Sequence, residues 1–413
     1  MKLKDSLPLK IALMGVVALS LLIPLAMIQG QIHDRETAAA KSRFEVSNSW
    51  GLAQTLAGPV LRFTYNVEEL DDKKNRTTVE KVGTVYPRTL DYDIDISTQT
   101  LHRSIYDVMV YGADVVVTGD FIIPIGYSGL ILNGSSVTMG LSDLRGIDGT
   151  VEIDLGGQVH SFHSGVNGKG GSTATLTTSF DPERTWMDGK TALPFRLTYH
   201  VRGSESLMVK PYGGTTTVSM HSNCQDPSFT GDFLPAERSV TDAGFTARWS
   251  VSEINRGNPD DTSFGVNLLQ GVTQYQQSMR SAKYGILVIL LVFIAGLAVE
   301  LVGKKKIDLI QYLVIGLSLV LFYALVLSFS EFMRFPLAYF LAALMTVSAL
   351  FGYFRGILHD RTAWLLSALS ALAYLLSYIL LQMETYALLA GTLVLFVLLV
   401  GIMYLTRNLN KAQ

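Results

Sequence analysis

The sequence predicts an α+β membrane protein with six transmembrane helices, one N-terminal and five C-terminal, around a large extracytoplasmic all-β sandwich-like domain. Two patterns predict it. Residues 284–302, 309–330, 335–354, 362–383 and 385–406 are Leu/Val/Ala/Phe-rich runs that carry no charge apart from Glu300. Each is long enough to cross a hydrocarbon core of ~30 Å, which takes about 20 residues of helix. Backbone in lipid must satisfy its own hydrogen bonds, and these runs lack the alternation of a barrel strand, so they are helices. Residues 60–251, by contrast, break into short alternating segments separated by Gly, Asn and Asp turns.

Taken in order, residues 1–10 form a short Lys-bearing N-terminus, expected in the cytoplasm, and residues 11–29 form the first span. The apolar run is longer than the core of a cleaved signal peptide, and the small residues Ala38, Ala39 and Ala40 lie beyond a charged stretch, so the segment is an uncleaved anchor. Pro24 within it is a tolerated kink. Residues 30–283 are expected outside the membrane. They begin with a helix over 34–56 that stops at Gly58-Pro59.

Strands are expected over residues 60–67, 79–86, 91–96, 104–110, 114–121, 136–141, 151–155, 173–180, 193–201, 206–210, 215–221 and 245–251. Short strands at this spacing indicate a sandwich. Residues 255–263 read as a polar loop, and 270–283 as a juxtamembrane helix leading back to the membrane. Residues 407–413 form a second cytoplasmic tail.

Charge sets the orientation. Lys304, Lys305 and Lys306 follow the first C-terminal run, Arg355 and Arg361 lie between the third and fourth, and Arg407 and Lys411 follow the last. Basic loops stay inside, which places both termini in the cytoplasm. Residues 30–283 hold 22 Lys/Arg against 29 Asp/Glu, a mildly acidic balance with no basic stripe. That argues against nucleic acid as a partner.

Few residues carry recognisable chemistry. Cys224 is the only cysteine and has no intrachain partner. His160 and His163 are spaced so that a strand would point their rings to opposite faces, and His200 and His221 meet only if the fold brings them together. No metal, cofactor or catalytic set is expected. In the span 362–383, Ser367, Ser370, Tyr374, Ser377 and Tyr378 fall on one helical face. Such a stripe faces protein or water, either packing helices or lining a polar conduit. Glu331 at a span end is the candidate membrane carboxylate, with Glu300 second to it. In the external domain, Pro227, Gly231 and Pro235 mark a loop or sheet edge. It carries Asp232, Glu237 and Arg238 as a candidate recognition loop, with Phe229 and Phe233 as anchors.

The segments PSFTGDFLPAER at 227–238 and GFTARW at 244–249 resemble the inner-membrane CreD proteins. So do YGIL at 284–287, QYLVIGLSLV at 311–320 with Phe322 and Tyr323, LSFSE at 327–331, YLTRN at 404–408 and, more weakly, LRGI at 144–147. The resemblance implies a multi-pass protein of a Gram-negative inner membrane with a periplasmic domain, associated with cell-envelope integrity and with envelope-stress or β-lactam responses. It implies no catalytic residues. Three function classes follow. The first is a non-enzymatic envelope protein whose β-domain binds a periplasmic protein, lipid or glycan above a helical anchor in membrane lipid. The others are a transporter or lipid-handling protein and an envelope-glycan enzyme.

Overall fold

The structure is a computed structural model that describes residues 7–70, 76–104, 106–128, 130–165, 174–268, 274–303, 307–358 and 361–382, with a few positions beyond Gln382. It divides into two compact units, Met1–Ala40 with Val272–Gln413, and Lys41–Gly271.

The first unit begins with α1 (Leu7–Ser20) and α2 (Leu22–Trp50), which form one apolar-to-polar helix interrupted at Leu21. Pro24 has no N–H to offer the Ser20 carbonyl four residues back, while Leu21 and Leu25 keep their bonds to Val17 and Leu21 at 3.1 and 3.2 Å. The helix therefore loses one bond and continues. Its end corrects the sequence expectation: it stops at Trp50 rather than at residue 56, and residues 54–70 already belong to a strand. Gly51, with φ of +150°, makes the stop. After the β-domain come α4 (Gln274–Lys283), α5 (Gly285–Gly303), α6 (Leu309–Ser330), α7 (Phe335–Leu358) and α8 (Arg361–Gln382).

Five helices among the described residues, the N-terminal one included, are long and apolar enough to span a membrane. The sixth expected span, 385–406, falls almost wholly outside the described residues. Helix α6 packs on α7, α7 on α8, α8 on α5, and α1 on α6. Close approach of α6 to the first helix requires Gly316, where a Cβ would lie 2.1 Å from Leu21 Cδ1.

The second unit is a two-sheet sandwich. One sheet holds β1 (Gln54–Leu70), β2 (Arg76–Val85), β5 (Leu132–Leu141), β8 (His163–Ser164), β9 (Ala174–Ser179), β11 (Ser206–Val209), β13 (Ser228–Gly231) and β16 (Phe264–Asn267). Their order is β13-β16-β11-β1-β5-β9-β8, with β2 also on β1. The other runs β14-β15-β12-β3-β4-β10-β6-β7. Its strands are β3 (Thr89–Arg103), β4 (Tyr106–Phe121), β6 (Ile147–Leu155), β7 (Gln158–Ser161), β10 (Leu193–Ser204), β12 (Thr215–Ser222), β14 (Glu237–Thr241) and β15 (Gly244–Ser252). A short helix, α3 (Glu253–Arg256), follows β15.

Strict alternation builds the core. Leu90, Tyr92, Ile94 and Ile96 of β3 are buried while Asp91, Asp93 and Asp95 face out. Leu193, Phe195, Leu197, Tyr199 and Val201 of β10 and Phe245, Ala247, Trp249 and Val251 of β15 do the same. These meet Leu61, Phe63, Val137, Leu141, Phe264 and Val266 of the opposite sheet in one hydrophobic cluster. At ~25 cal/mol per Å² of apolar surface, this burial is the main force holding the sheets together.

The sandwich extends beyond the expected 60–251, from Gln54 to Asn267. The segments 104–110 and 114–121 are one strand, β4. Gly112 between them is no turn: a Cβ there would lie 2.9 Å from the His200 ring, so the glycine lets that imidazole cross the strand. The juxtamembrane helix begins, in the described residues, at Gln274.

Candidate functional site

Two places carry the sequence-derived candidates, one in each unit. In the β-domain, β13 lies at the edge of one sheet and β14 at the edge of the other, so residues 232–236 carry the chain from sheet to sheet. Aromatic packing holds this corner. The Phe229 ring stands edge-on to Phe245 and Trp249, at 5.6 and 5.8 Å, and Phe233 edge-on to Phe264 at 5.9 Å. The buried Trp249 indole donates to the Phe233 carbonyl at 3.2 Å. Pro227 and Pro235 sit where no ladder donor is needed, and a Cβ on Gly231 (φ +102°) would lie only 2.3 Å from the Ser263 carbonyl oxygen.

The three charges divide between roles. Asp232 is part of the scaffold: its N–H donates to the Ser263 carbonyl at 2.9 Å, and its Oδ2 accepts from the Ser263 N–H at 2.8 Å. Arg238 is exposed, with its guanidinium 6.0 Å above the Phe229 ring. Glu237 is exposed and stands opposite Arg248 in register. All five residues of β14 are exposed, and β15 is its ladder partner.

Beside β14 opens a groove of ≈ 390 Å³ lined by Ser239, Thr241, Thr246, His221 and Asp95. All of these but Thr241 belong to one row across the sheet. Ser239 is in register with Thr246, Thr246 with His221, His221 with Asp95, and Asp95 with Asp114, which pairs with His200. The His200 Nδ1 lies 2.8 Å from Asp114 Oδ1. Sequence reading could not see this polar row, because it is assembled from six strands.

The histidine pairs do not come together. His160 lies on β7 and His163 on β8, in different sheets. His200 and His221 share a row but are three strand spacings apart, about 14 Å. Among the described residues no three His, Cys, Asp or Glu cluster as metal ligands would. Cys224 is free and buried, and burial pushes its thiol pKa up, away from the reactive thiolate.

In the membrane unit the hydroxyl stripe of α8 faces protein. Ser367, Ser370, Tyr374 and Ser377 are buried and Tyr378 half-buried. The Ser367 and Ser370 hydroxyls turn back to the Ala363 and Leu366 carbonyls of their own helix, at 2.9 and 2.8 Å. They help packing by being small, without a bond to a neighbouring helix. The interhelical bond runs the other way: Tyr339 of α7 donates its hydroxyl to the Tyr374 carbonyl at 2.8 Å. Phe322 of α6 sits at the centre of this layer, 4.1 Å from the Tyr374 ring and 5.0 Å from Tyr339.

The span-end carboxylates are paired, both to the first helix. Glu331 meets Arg35 at 3.4 Å. Glu300 pairs with Lys10, whose ammonium also donates to the Ile307 carbonyl at 2.7 Å. The two basic residues are 25 positions apart, about 37 Å of helix, which is the span of a bilayer core with part of its headgroups. Sequence reading weighed the carboxylates singly because their partners lie nearly three hundred positions away.

The family model described as "Inner membrane protein CreD" matches residues 6–412. The chain is also 30% identical to the inner membrane protein CreD of Escherichia coli (strain K12) over 427 aligned residues, covering 97% of this chain and 92% of that protein. Apolar helices bracketing a β-rich domain, with likeness running from end to end, make this chain a member of the CreD family of inner membrane proteins.

Proposed function

We propose that this protein serves cell-envelope integrity and the envelope-stress response by binding, without catalysis. Its β-domain recognises an extended segment of a periplasmic protein, and its helices hold that domain at the membrane. The single observation that carries the reading is β14. It is an edge strand exposed along its whole length, beside a groove that presents Ser239, Thr241, His221 and Asp95, and fixed by an aromatic corner. An open edge offers unpaired N–H and C=O groups to an added strand, and flanking pockets then select side chains. Glu237 and Arg238 would set which partner fits.

The test combines a photo-crosslinking residue at Val240 with charge reversal, Glu237→Lys plus Arg238→Glu. Both positions are exposed, so stability should change by no more than ~0.5 kcal/mol. Adduct yield and envelope phenotype should both fall while abundance holds. Full adduct yield and full phenotype in the reversal variant would sink the reading. As a control, Phe233→Ala should lower abundance, at or below the ~3–5 kcal/mol cost of a fully buried Phe.

The orientation is tested separately. A reporter active only in the cytoplasm should work when fused to the C-terminus and be silent in the Gly156-Gly157 turn. The reverse pattern at either position defeats the charge argument.

A further inference from the structure

Where β3 and β12 begin and β4 and β15 end, the sandwich holds another pocket. Its volume is ≈ 420 Å³, within the ~300–1,000 Å³ of small-molecule sites. It lies at the level of Thr89, six positions along β3 from Asp95 and so about 20 Å from the groove beside β14. Tyr86, Pro87 and Ile122 give it an apolar wall, and Arg88, Thr215, Glu253 and Arg256 a polar one. Backbone fixes the floor. The Gly214 N–H donates to the Pro87 carbonyl at 2.9 Å, the Thr215 N–H to the Arg88 carbonyl at 3.0 Å, and the Glu253 N–H to the Gly214 carbonyl at 2.8 Å.

Each arginine is tethered by part of its fork. Arg88 Nε donates to Asp120 Oδ2 at 2.7 Å, so a carboxylate already balances its charge. Arg256 Nη1 donates to the carbonyls of Pro211 and Gly213, which are neutral and leave its charge uncompensated. That guanidinium stands 5.9 Å from the centre of the Tyr86 ring. Glu253 is exposed and precedes Arg256 by three positions on α3, a spacing at which opposite charges can pair. The two carbonyls hold the guanidinium instead, and among the described residues the Glu253 carboxylate has neither hydrogen bond nor ion pair. The pocket therefore offers one uncompensated cation and one uncompensated anion, a helical turn apart, beside an apolar wall. A neutral sugar would use neither charge, and a phosphate would be repelled by Glu253.

We propose that this pocket binds a free α-amino acid with an apolar side chain. The ligand's carboxylate meets the Arg256 fork, its ammonium meets Glu253, and its side chain lies against Tyr86, Pro87 and Ile122. Tethering both arginines in advance lowers the ordering cost of binding. The site is separate from β14 and does not depend on what that strand recognises.

The full chain in detergent is titrated by calorimetry with L-leucine, with N-acetyl-L-leucine, which lacks the ammonium, and with L-leucinamide, which lacks the carboxylate. Leucine should bind, and each analogue should bind about ten-fold more weakly, the order of one charge-assisted hydrogen bond. Glu253→Gln should weaken leucine by the same factor and leave N-acetyl-leucine unchanged. Arg256→Gln should weaken leucine and leave leucinamide unchanged. Ile122→Trp should weaken all three by filling the pocket, while Glu237→Lys with Arg238→Glu should affect none. Normal thermal unfolding shows that each variant is folded. Should Arg256→Gln loosen the corner that it ties together, the exposed Glu253 still decides the matter. Leucine that fails to bind at millimolar concentration, analogues that bind as well as leucine, or discrimination that survives Glu253→Gln overturns the proposal. So does binding of N-acetylglucosamine or inorganic phosphate as tight as that of leucine.

Discussion

Gly146→Ala is expected to remove most of the folded protein. A Cβ at this position would stand 2.1 Å from the Arg202 carbonyl oxygen and 2.5 Å from Gln54 Nε2. Neither can retreat. Arg202 is in the ladder of β10 with β4, and Gln54 is fully buried, donating to the Asp143 and Arg202 carbonyls at 2.8 and 3.2 Å. The same carbonyl also crowds Gly51, where a Cβ would lie 2.5 Å from it. Overpacking costs ~1–3 kcal/mol where neighbours can shift. Here one is a ladder carbonyl and the other a fully buried, doubly bonded amide, so the cost should reach or exceed that range and consume much of a ~5–15 kcal/mol margin. Chemical unfolding of the isolated protein and its abundance in cells measure the effect, and an unchanged midpoint refutes it.

The same junction has a pH signature. Burial alone would raise the Asp143 pKa, but it accepts from Arg145 at 2.9 and 3.0 Å and from the Leu52 N–H at 3.0 Å, and these bonds win. Its carboxyl is thus held below the ordinary 3.8. A depressed carboxylate adds stability that is fully present above its unfolded pKa and lost as pH falls through the folded one. Asp143→Asn should therefore cost stability at neutral pH, ~1–3 kcal/mol for a bond left unmade, and flatten the acid limb of the stability curve.

The second large effect concerns Lys10 and Glu300. Glu300→Ala leaves a lysine at the edge of the apolar bundle with only the Ile307 carbonyl, and breaking a largely buried pair costs ~3–5 kcal/mol. Replacing both, Lys10→Met with Glu300→Leu, removes the desolvation penalty together with the attraction, so the double variant should be near wild type or above it. Thermal unfolding in detergent distinguishes the two. A double variant as unstable as the single one would mean that these residues do something other than hold the helices together.

These residues also show what could be read in advance. The spans and the β character of the middle were legible because each rests on composition over twenty residues or alternation over six. The Gly58-Pro59 stop was misleading. Pro59 lies where the register of β1 against β5 shifts, a place in a strand that tolerates a residue without an N–H. The true stop, Gly51, is needed only because Arg202 passes 151 positions later in the chain. The bonds that Asp143 makes to Leu52 and Arg145 could not be foreseen for the same reason. The loop at 227–238 announced its shape through Pro and Gly, yet only the structure separates Asp232, which clasps Ser263, from the outward Glu237 and Arg238. Strands β7, β8, β13, β14 and β16 escaped because two to five residues show no period.

The parallel ladders bear on how the domain is made. Strand β1 meets β11 at Gln54 and Leu207, and β3 meets β12 at Thr89 and Thr215, spans of 153 and 126 positions. Hairpins such as β3-β4 and β1-β2 can close as soon as they are synthesised, but each sheet stays open along an interior edge until residues 206–222 arrive. Closing such loops is entropically costly, and high contact order makes it slow. The vulnerable period in the life of this protein is therefore its birth. A nascent chain halted before Ser206 presents two naked strand edges to any protease or neighbouring chain, whereas one halted after Ser252 has every partner it needs for the second sheet.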